Sequence, residues 1–518
     1  MEITTDKALE LAINAHTIGK LEEAEYFYKI VLQKHPTHQF TWKVLGDIFK
    51  QTGRIQEALI ARQKAVELDP SDFEGYYNLA NTLKELGRLE EAEKYYRRAT
   101  KLKPGFVIAH CNMGVVFKAL GKLKEAEESF RKVISLDSKF ADAYTNLGNT
   151  LTELNKLKEA EIEYKKSLSI NPNSAETHNS LGITLQESGK LKKAADSFKK
   201  AIDLKPNLTS AILNLSIVHD FMNNLDEAII QLKNIVKINS VKDPLKAKVN
   251  LAIFNFLKND FLISKKYLMA SSKIEEMIDN EFLSYKIYWR YLLNLLNWHD
   301  NKPVNKIDCL TNKKLYVIGE SHSLVSHQLK VKISEDYFIC HSLLIQGCKQ
   351  WDLGSPKINK FKIKFKKLFS SIPKFSTVLI SIGEIDCRLD SGIINFKKKN
   401  PKKNINEIIL NVVKSYLNYI SKSNLNMKHK VVIQGVPCPN IEIENIEDKE
   451  IKMLVKVIKK FNIVLREKSY ELGFTFLDLY KLTDRGDGFS NKIWNLDQYH
   501  LSPKAMLKAW NSYCLLYT

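Results

Sequence analysis

The chain has 518 residues, a formal net charge of +20 and a hydrophobic content of 44%. It is too long for one hydrophobic core and too apolar for a disordered chain, so two or three domains are expected. Its most apolar window, Tyr288 to Trp298, is interrupted by Arg290 and too short to span a bilayer, Met1 to Glu10 lacks a secretory core, and seven scattered cysteines argue for a reducing, cytoplasmic setting over a disulfide scaffold.

A 34-residue period runs through the first half of the chain. Pro36, Pro70, Pro104, Pro172 and Pro206 fall on it, with Ser138 and Ser240 in the remaining places. Ala24, Ala58, Ala92, Ala126, Ala160, Ala194 and Ala228 keep the spacing without a gap. Leu45-Gly46, Leu79-Ala80, Met113-Gly114, Leu147-Gly148, Leu181-Gly182 and Leu215-Ser216 put a small residue where two helices can approach. These columns resemble the tetratricopeptide repeat over residues 5 to 242, in seven units. Residues 243 to 276 read as an eighth, degenerate unit, and 280 to 298 as a capping helix. The resemblance implies an all-α superhelix with a concave groove.

One column is polar. Asn78, Asn112, Asn146 and Asn214 hold the same place in their units, and Ser180 holds it in the sixth. A side-chain amide carries acceptor and donors together, so a ladder of them can hold an extended polypeptide by its main chain. The same amides can instead bond within their own repeats. The column is similar to the asparagine ladder of the O-linked N-acetylglucosamine transferase repeats, most closely at Phe140 to Asn149. Nothing beyond residue 300 resembles that transferase's catalytic region, so the repeats imply binding rather than chemistry.

His299 to Asn312 reads as a polar linker. The expected organisation is therefore a repeat array at 1–276, a capping helix and linker at 277–312, and a second domain at 313–518. That domain holds the basic character: 36 lysines and arginines face 20 acids from residue 301 onward, against 43 and 39 before it. Such a field can attract anionic substrates or simply reflect solvated lysines. Strand-like runs at Leu315–Ile318, Tyr337–Leu344, Thr377–Ile382, Lys430–Gln434 and Phe474–Leu479 alternate with helical stretches at Ile358–Ser370, Ile405–Ser421, Lys449–Leu472 and Ser502–Tyr513. The alternation predicts five parallel strands with helices on both faces. Lysines 357, 360, 362, 364, 366 and 367 suggest a nucleic-acid patch. Phe361, Phe365, Leu368 and Ile372 share one helical face, however, which favours an amphipathic helix with solvated lysines.

Leu315 to Ile318 lead into Gly319, Glu320 and Ser321. Gly319 is expected to make a tight turn, and Ser321 to open a helix, Leu324–Lys330, at the carboxyl end of a parallel strand, where α/β sheets keep ligand sites. Ser321 then reads either as a helix cap or as a nucleophile whose oxyanion is favoured by the helix N-terminus. Near the C-terminus, Asp497 and His500 fall on the loop before a helix capped by Ser502 and started by Pro503. Nucleophile, base and orienting carboxylate are what acyl-ester chemistry needs.

Residues 313 to 518 resemble the SGNH (GDSL-type) hydrolase superfamily. Gly319-Glu320-Ser321-His322 is similar to its first block, with Glu320 where Asp is usual; Gly347 is the candidate for its second; Ser381-Ile382-Gly383-Glu384-Ile385-Asp386 stands where the third belongs; Asp497 to His500 is similar to the last. The resemblance implies a flavodoxin-like α/β/α fold, with Ser321, Asp497 and His500 as the catalytic set and Gly347, Gly383, Asp386 and Arg388 around the oxyanion and substrate. Ile385 departs from the pattern, because an oxyanion-donating Asn is usual there. Arg388 can supply the missing donor, clamp an anionic substrate, or pair with Asp386 or Asp390. Cys348, Cys387 and Cys438 fall just past strand ends without the spacing of a metal site, so no metal or cofactor is expected. His322 is a second polar site group or a first-turn residue. Three functions follow: an esterase or acyltransferase, carbohydrate-directed in many members of the superfamily, with a protein partner in the repeat groove; an inactive protein-interaction scaffold; or the repeat module of a protein or glycan glycosylation system.

Overall fold

The computed structural model describes residues 3–237, 243–277, 282–301, 313–333, 336–389, 392–440, 446–496 and 500–517. Contacts divide the chain into two units, Met1–Thr184 and Leu185–Thr518.

In the first unit each repeat is a helix pair: Thr5–Thr17 with Leu21–Lys34, Gln39–Gln51 with Ile55–Leu68, Phe73–Glu85 with Leu89–Leu102, Val107–Ala119 with Leu123–Leu136, and Ala141–Glu153 with Leu157–Ile170. The turn inside each pair needs one residue in the left-handed region. Gly19, Gly53, Gly87 and Gly121 supply it, and at Asn155 (φ 58°) an asparagine does, as the next most tolerant residue. The small-residue column acts as expected. A Cβ at Gly114 would lie 2.8 Å from the Phe130 ring, and one at Gly148 2.7 Å from the Tyr164 ring. The facing aromatics are periodic too: Tyr28, Tyr96, Phe130 and Tyr164 are buried, and Arg62 takes their place in the second repeat. Its guanidinium is held by Asp47 at 2.7 Å and the Asn78 carbonyl at 3.0 Å. An arginine is tolerated there because those acceptors compensate its burial.

The second unit continues with Leu191–Leu204, Thr209–Phe221, Leu225–Val236, an eighth pair Asp243–Leu257 and Phe261–Met269, and the long helix Leu283–Asp300. Asn259 (φ 66°) makes the eighth turn, two residues later than the 34-residue period requires, which is why this repeat is degenerate in sequence. The sheet follows: β1 Lys314–Gly319, β2 Lys330–Ile333, β3 Asp336–Leu344, β4 Thr377–Ser381, β5 Lys430–Gln434 and β6 Thr475–Leu477, in the order β2-β3-β1-β4-β5-β6. β2 runs antiparallel to β3; the other neighbours pair in parallel. The sheet is thus mixed and six-stranded, not the five-stranded parallel sheet expected. The extra strand lies at the end of the expected helix Leu324–Lys330. Lys330-Val331-Lys332-Ile333 alternates polar and apolar, so one face of it can be buried at the edge of β3. Only Ser321–Ser326 is helical there, as a 3₁₀ segment.

Side chains alternate between the two faces of the sheet. Ile318, Val378, Ile380, Val431 and Ile433 pack with Phe365, Leu368, Val413, Leu417, Phe461 and Leu465 from helices Lys360–Ser371, Ile405–Asn424 and Asp448–Glu471. Leu315, Val317, Leu379 and Val432 share the opposite cluster with Ala505, Met506 and Trp510 of the last helix, Pro503–Tyr517. That cluster continues without a break into Leu292 and Leu295 of Leu283–Asp300 and Phe256 of the eighth repeat. The expectation of solvated lysines holds at Lys357 and Lys366, which are exposed, and is corrected at three others. Lys364 is buried on Asp220, Lys360 pairs with Glu187, and Lys367 reaches the Met222 carbonyl. These side chains clasp repeat helices instead of lying free for nucleic acid. Among the described residues no helix is long and apolar enough to cross a membrane.

Phe256 also packs on the buried His327 ring, centroids 5.2 Å apart, and His327 Nδ1 accepts the Ser342 N–H at 3.2 Å. Burial, with His341 nearby, pushes the imidazole down from 6.5 to about 3. The unfolded chain takes up a proton below about 6.5 that the native chain refuses until about 3, so stability present above that window is lost as pH falls through it. Chemical denaturation from pH 6 to pH 4 is expected to show wild type losing about 1.4 kcal/mol per pH unit more than His327→Asn. Parallel curves would mean that this ring titrates normally.

Candidate functional site

β1 runs directly into the site. Gly319 is where it comes nearest to β4: a Cβ there would lie 2.3 Å from the Ser381 carbonyl oxygen. The glycine therefore serves a close approach and not the tight turn expected of it. Glu320 N–H bonds that same carbonyl at 3.2 Å, and Ser321 opens the six-residue 3₁₀ segment. So short a helix has little of the dipole expected to favour an oxyanion.

The Ser321 hydroxyl is buried between two partners. It donates to Glu320 Oε2 at 2.5 Å, and His500 Nε2 lies 3.1 Å away. A hydroxyl has one hydrogen. If Glu320 receives it, His500 can meet Oγ only as a donor; if His500 receives it, the contact with Glu320 requires a proton on the carboxyl. His500 sits before the last helix, where Ser502 Oγ accepts the Ala505 N–H at 3.3 Å as the expected cap. Asp497, expected to brace His500, lies outside the described residues.

Two tyrosines of Leu283–Asp300 complete the wall, although that helix reads in sequence only as a cap. Tyr291 stacks on His500 with centroids 3.7 Å apart and planes 10° off parallel. Tyr288 donates to Glu320 Oε1 at 3.2 Å. Burial and the Glu320 carboxylate push the Tyr288 hydroxyl well above 10, so it remains a donor.

At the end of β4, Gly383 takes φ 144° against the Gln350 side chain. Burial alone would raise the Glu384 carboxyl, but Arg388 more than offsets it and holds the group below its usual range. The fork is bidentate, Nε to Oε1 at 2.9 Å and Nη2 to Oε2 at 2.6 Å. Asp386 is buried and accepts the backbone N–H groups of Gln350 at 2.7 Å and Trp351 at 3.2 Å. Burial pushes its carboxyl up to about 7. It ties the loop after Gly347 (φ 69°) to the end of β4. Ser321, His500, Gly347, Ile385 and Arg388 line one cavity of ≈ 530 Å³, whose other wall is Asp220 and Asn250 from the repeat helices with Tyr285 and Tyr288 from Leu283–Asp300. Asp386 and Gly383 are not among its lining residues. Cys348, Cys387 and Cys438 are buried; burial holds the first two thiols well above 9 and pushes Cys438 up to about 12. Protonated thiols of this kind are poor ligands and nucleophiles.

The asparagine column falls on one position, the sixth residue of the first helix of each repeat, and every member is half-buried. In the first unit Asn112 Nδ2 bonds Tyr77 Oη at 3.2 Å and Asn81 Oδ1 at 3.1 Å, so part of its capacity goes to the preceding repeat. Asn214 holds the matching place in Thr209–Phe221 of the second unit.

Tetratricopeptide repeat family models match residues 73–106, 107–140 and 139–207, and a TPR repeat model matches 46–87. The N-terminal part of the chain is therefore a tetratricopeptide repeat array. No curated protein matches the chain. Among solved structures, it is similar to YrrB, described as a TPR protein with an unusual peptide-binding site (26% identity, 36% of this chain and 97% of that one, TM-score 0.31). Others are MamA (23%, 31% and 93%, TM-score 0.30) and a tetratricopeptide repeat protein from Parabacteroides merdae (19%, 48% and 98%, TM-score 0.39).

Gly319→Ala puts a methyl group against backbone that cannot yield without breaking the β1–β4 pairing. The expected loss is about 2–3 kcal/mol in denaturant unfolding, the upper range for overpacking. A variant as stable as wild type would show that the two strands can separate at no cost.

Proposed function

We propose that the chain acts as an interaction protein whose tetratricopeptide array holds an extended polypeptide by its main chain. The observation that supports this is the common phase of Asn78, Asn112, Asn146 and Asn214, each on the first helix of its repeat. Equal phase presents each amide to the groove of its own unit in the same way. Main-chain pairing makes the binding tolerant of partner sequence, and each amide contributes on the order of 1 kcal/mol. Single Asn→Ala changes are expected to be mild. The fourfold change should abolish recovery of partners in pull-downs by the full chain, with the circular dichroism unchanged. Equal recovery would assign the column to packing between repeats.

A second reading, acyl-ester hydrolysis or transfer, is favoured by the 3.1 Å approach of His500 Nε2 to Ser321 Oγ in a cavity shared with the repeat helices. Ser321 Oγ would add to the acyl carbonyl carbon while His500 takes its hydrogen, and His500 would return that hydrogen to the departing alcohol; water or an acceptor hydroxyl, giving its hydrogen to His500, would then add to the acyl carbon, and Ser321 Oγ would leave with that hydrogen. Asp497 would orient the far imidazole nitrogen, and the N–H groups of Ser321 and Gly347 would receive the oxyanion. The parallel strands support an SGNH-like, flavodoxin-type frame: their order β3-β1-β4-β5-β6 turns between β1 and β4, whose carboxyl ends carry Ser321 and Glu384 to Arg388. Three features weigh against high turnover. The Ser321 hydroxyl donates to Glu320, so His500 can take its hydrogen only once that bond is given up. Ile385 offers no side-chain donor, and Arg388, which would replace it beside an anionic or glycan substrate, is already committed to Glu384. Because the repeat helices wall the cavity, a partner held by the repeats is the natural acyl donor or acceptor. A fluorophosphonate probe is expected to label wild type, to leave Ser321→Ala unlabelled, and to label His500→Ala at least about 100-fold more slowly. An unlabelled wild type would leave the binding function alone.

A further inference from the structure

We infer a divalent-cation site beside Ser321, formed by Glu320, His322 and Glu384 with Ser381 and Gln434, where β1, β4 and β5 end. Glu320, His322 and Glu384 bring their ligand atoms within 4.8 Å of one another. With Ser381 and Gln434 they line a small cavity of ≈ 10 Å³, about the room that one water or one metal ion takes.

A second observation is independent of that grouping. Three buried polar atoms on the cavity wall have no hydrogen-bond partner among the described residues: His322 Nε2, Ser381 Oγ and Gln434 Oε1. His322 and Ser381 are each only 3% exposed. Buried polar atoms are rarely left in this state, so three around one small space point to an occupant. The donor set says which kind. Two carboxylates, an amide oxygen, a hydroxyl oxygen and an imidazole nitrogen can all present lone pairs. One water has two hydrogens and cannot serve them all; a cation can.

Charge points the same way. Glu384 is balanced by Arg388, but the buried Glu320 has only the hydroxyls of Ser321 and Tyr288 as recorded partners among the described residues. A cation would neutralise it. One imidazole among oxygens suits a first-row ion, either the oxygen-preferring Mn²⁺ or the borderline Zn²⁺, and the small space disfavours Ca²⁺. Electron density drawn from Glu320 would also weaken its hold on the Ser321 hydrogen.

The test needs no activity and does not depend on the hydrolytic reading. Chelator-treated full-length protein is titrated with MnCl₂, followed by electron paramagnetic resonance, and with ZnCl₂ by calorimetry. One equivalent should bind saturably, with a nitrogen coupling to Mn²⁺ from His322. His322→Gln should remove that coupling, and both it and Glu384→Gln should weaken binding at least about ten-fold. Circular dichroism and cooperative melting report whether each variant folds. If Glu384→Gln does not fold, His322→Gln and Gln434→Leu decide. Absence of saturable binding at millimolar metal, or equal affinity in the folded variants, would overturn the proposal and assign the cavity to a buried water.

Discussion

Parallel strands buried on both faces need two apolar covers. In the second unit the helices between the strands supply one of them, through Phe365, Leu417 and Phe461. The other, over Leu315, Val317, Leu379 and Val432, is completed by Trp510 of the last helix together with Leu292 and Leu295 of Leu283–Asp300 and Phe256 of the eighth repeat. The sheet and the end of the array are thus one hydrophobic core. Removing the repeats would expose part of a sheet face to water, and the Tyr288 and Tyr291 contacts of the site depend on that face being covered.

The shared core also decides what surrounds Ser321. Leu283–Asp300 lies on the sheet with its leucines inward, which brings Tyr288 to Glu320 and Tyr291 onto the His500 ring. A helix that would cap an isolated array becomes one wall of the cavity beside Ser321. The lysine-rich helix Lys360–Ser371 makes the second attachment. Lys364, buried on Asp220, is a charge that must keep its partner, because an unpaired buried ammonium is costly. One positive charge of this helix is therefore held inside the molecule, while Lys366 and Lys367 stay exposed.

The repeats were legible because their constraints are local and recur. Closeness of two helices requires a small residue such as Gly114 or Gly148, and the turn requires Gly121 or its substitute Asn155, at intervals that tertiary structure does not change. Most strands and helices of the second unit were legible from alternation of period. β2 was not, because four residues at a sheet edge carry too short a pattern beside the neighbouring apolar run. Of the site, Ser321 and His500 could be paired from their places at a strand end and a helix start. Glu320 and Glu384 were visible only as neighbours of motif positions, and the two tyrosines carried no signal at all.

By itself the sequence determined the repeat period, the helix pairs and the five parallel strands of the sheet, since each follows from spacing along the chain, and it marked Ser321 and His500 as candidates that could meet where strand-end loops converge. Only the tertiary structure decided that the repeats and the sheet share a core, that Asp386 anchors a loop while Arg388 is held by Glu384, and that Glu320, His322 and Glu384 surround one small cavity. The physical reason is that burial and charge pairing between distant segments depend on which surfaces meet, and spacing along the chain does not encode that meeting.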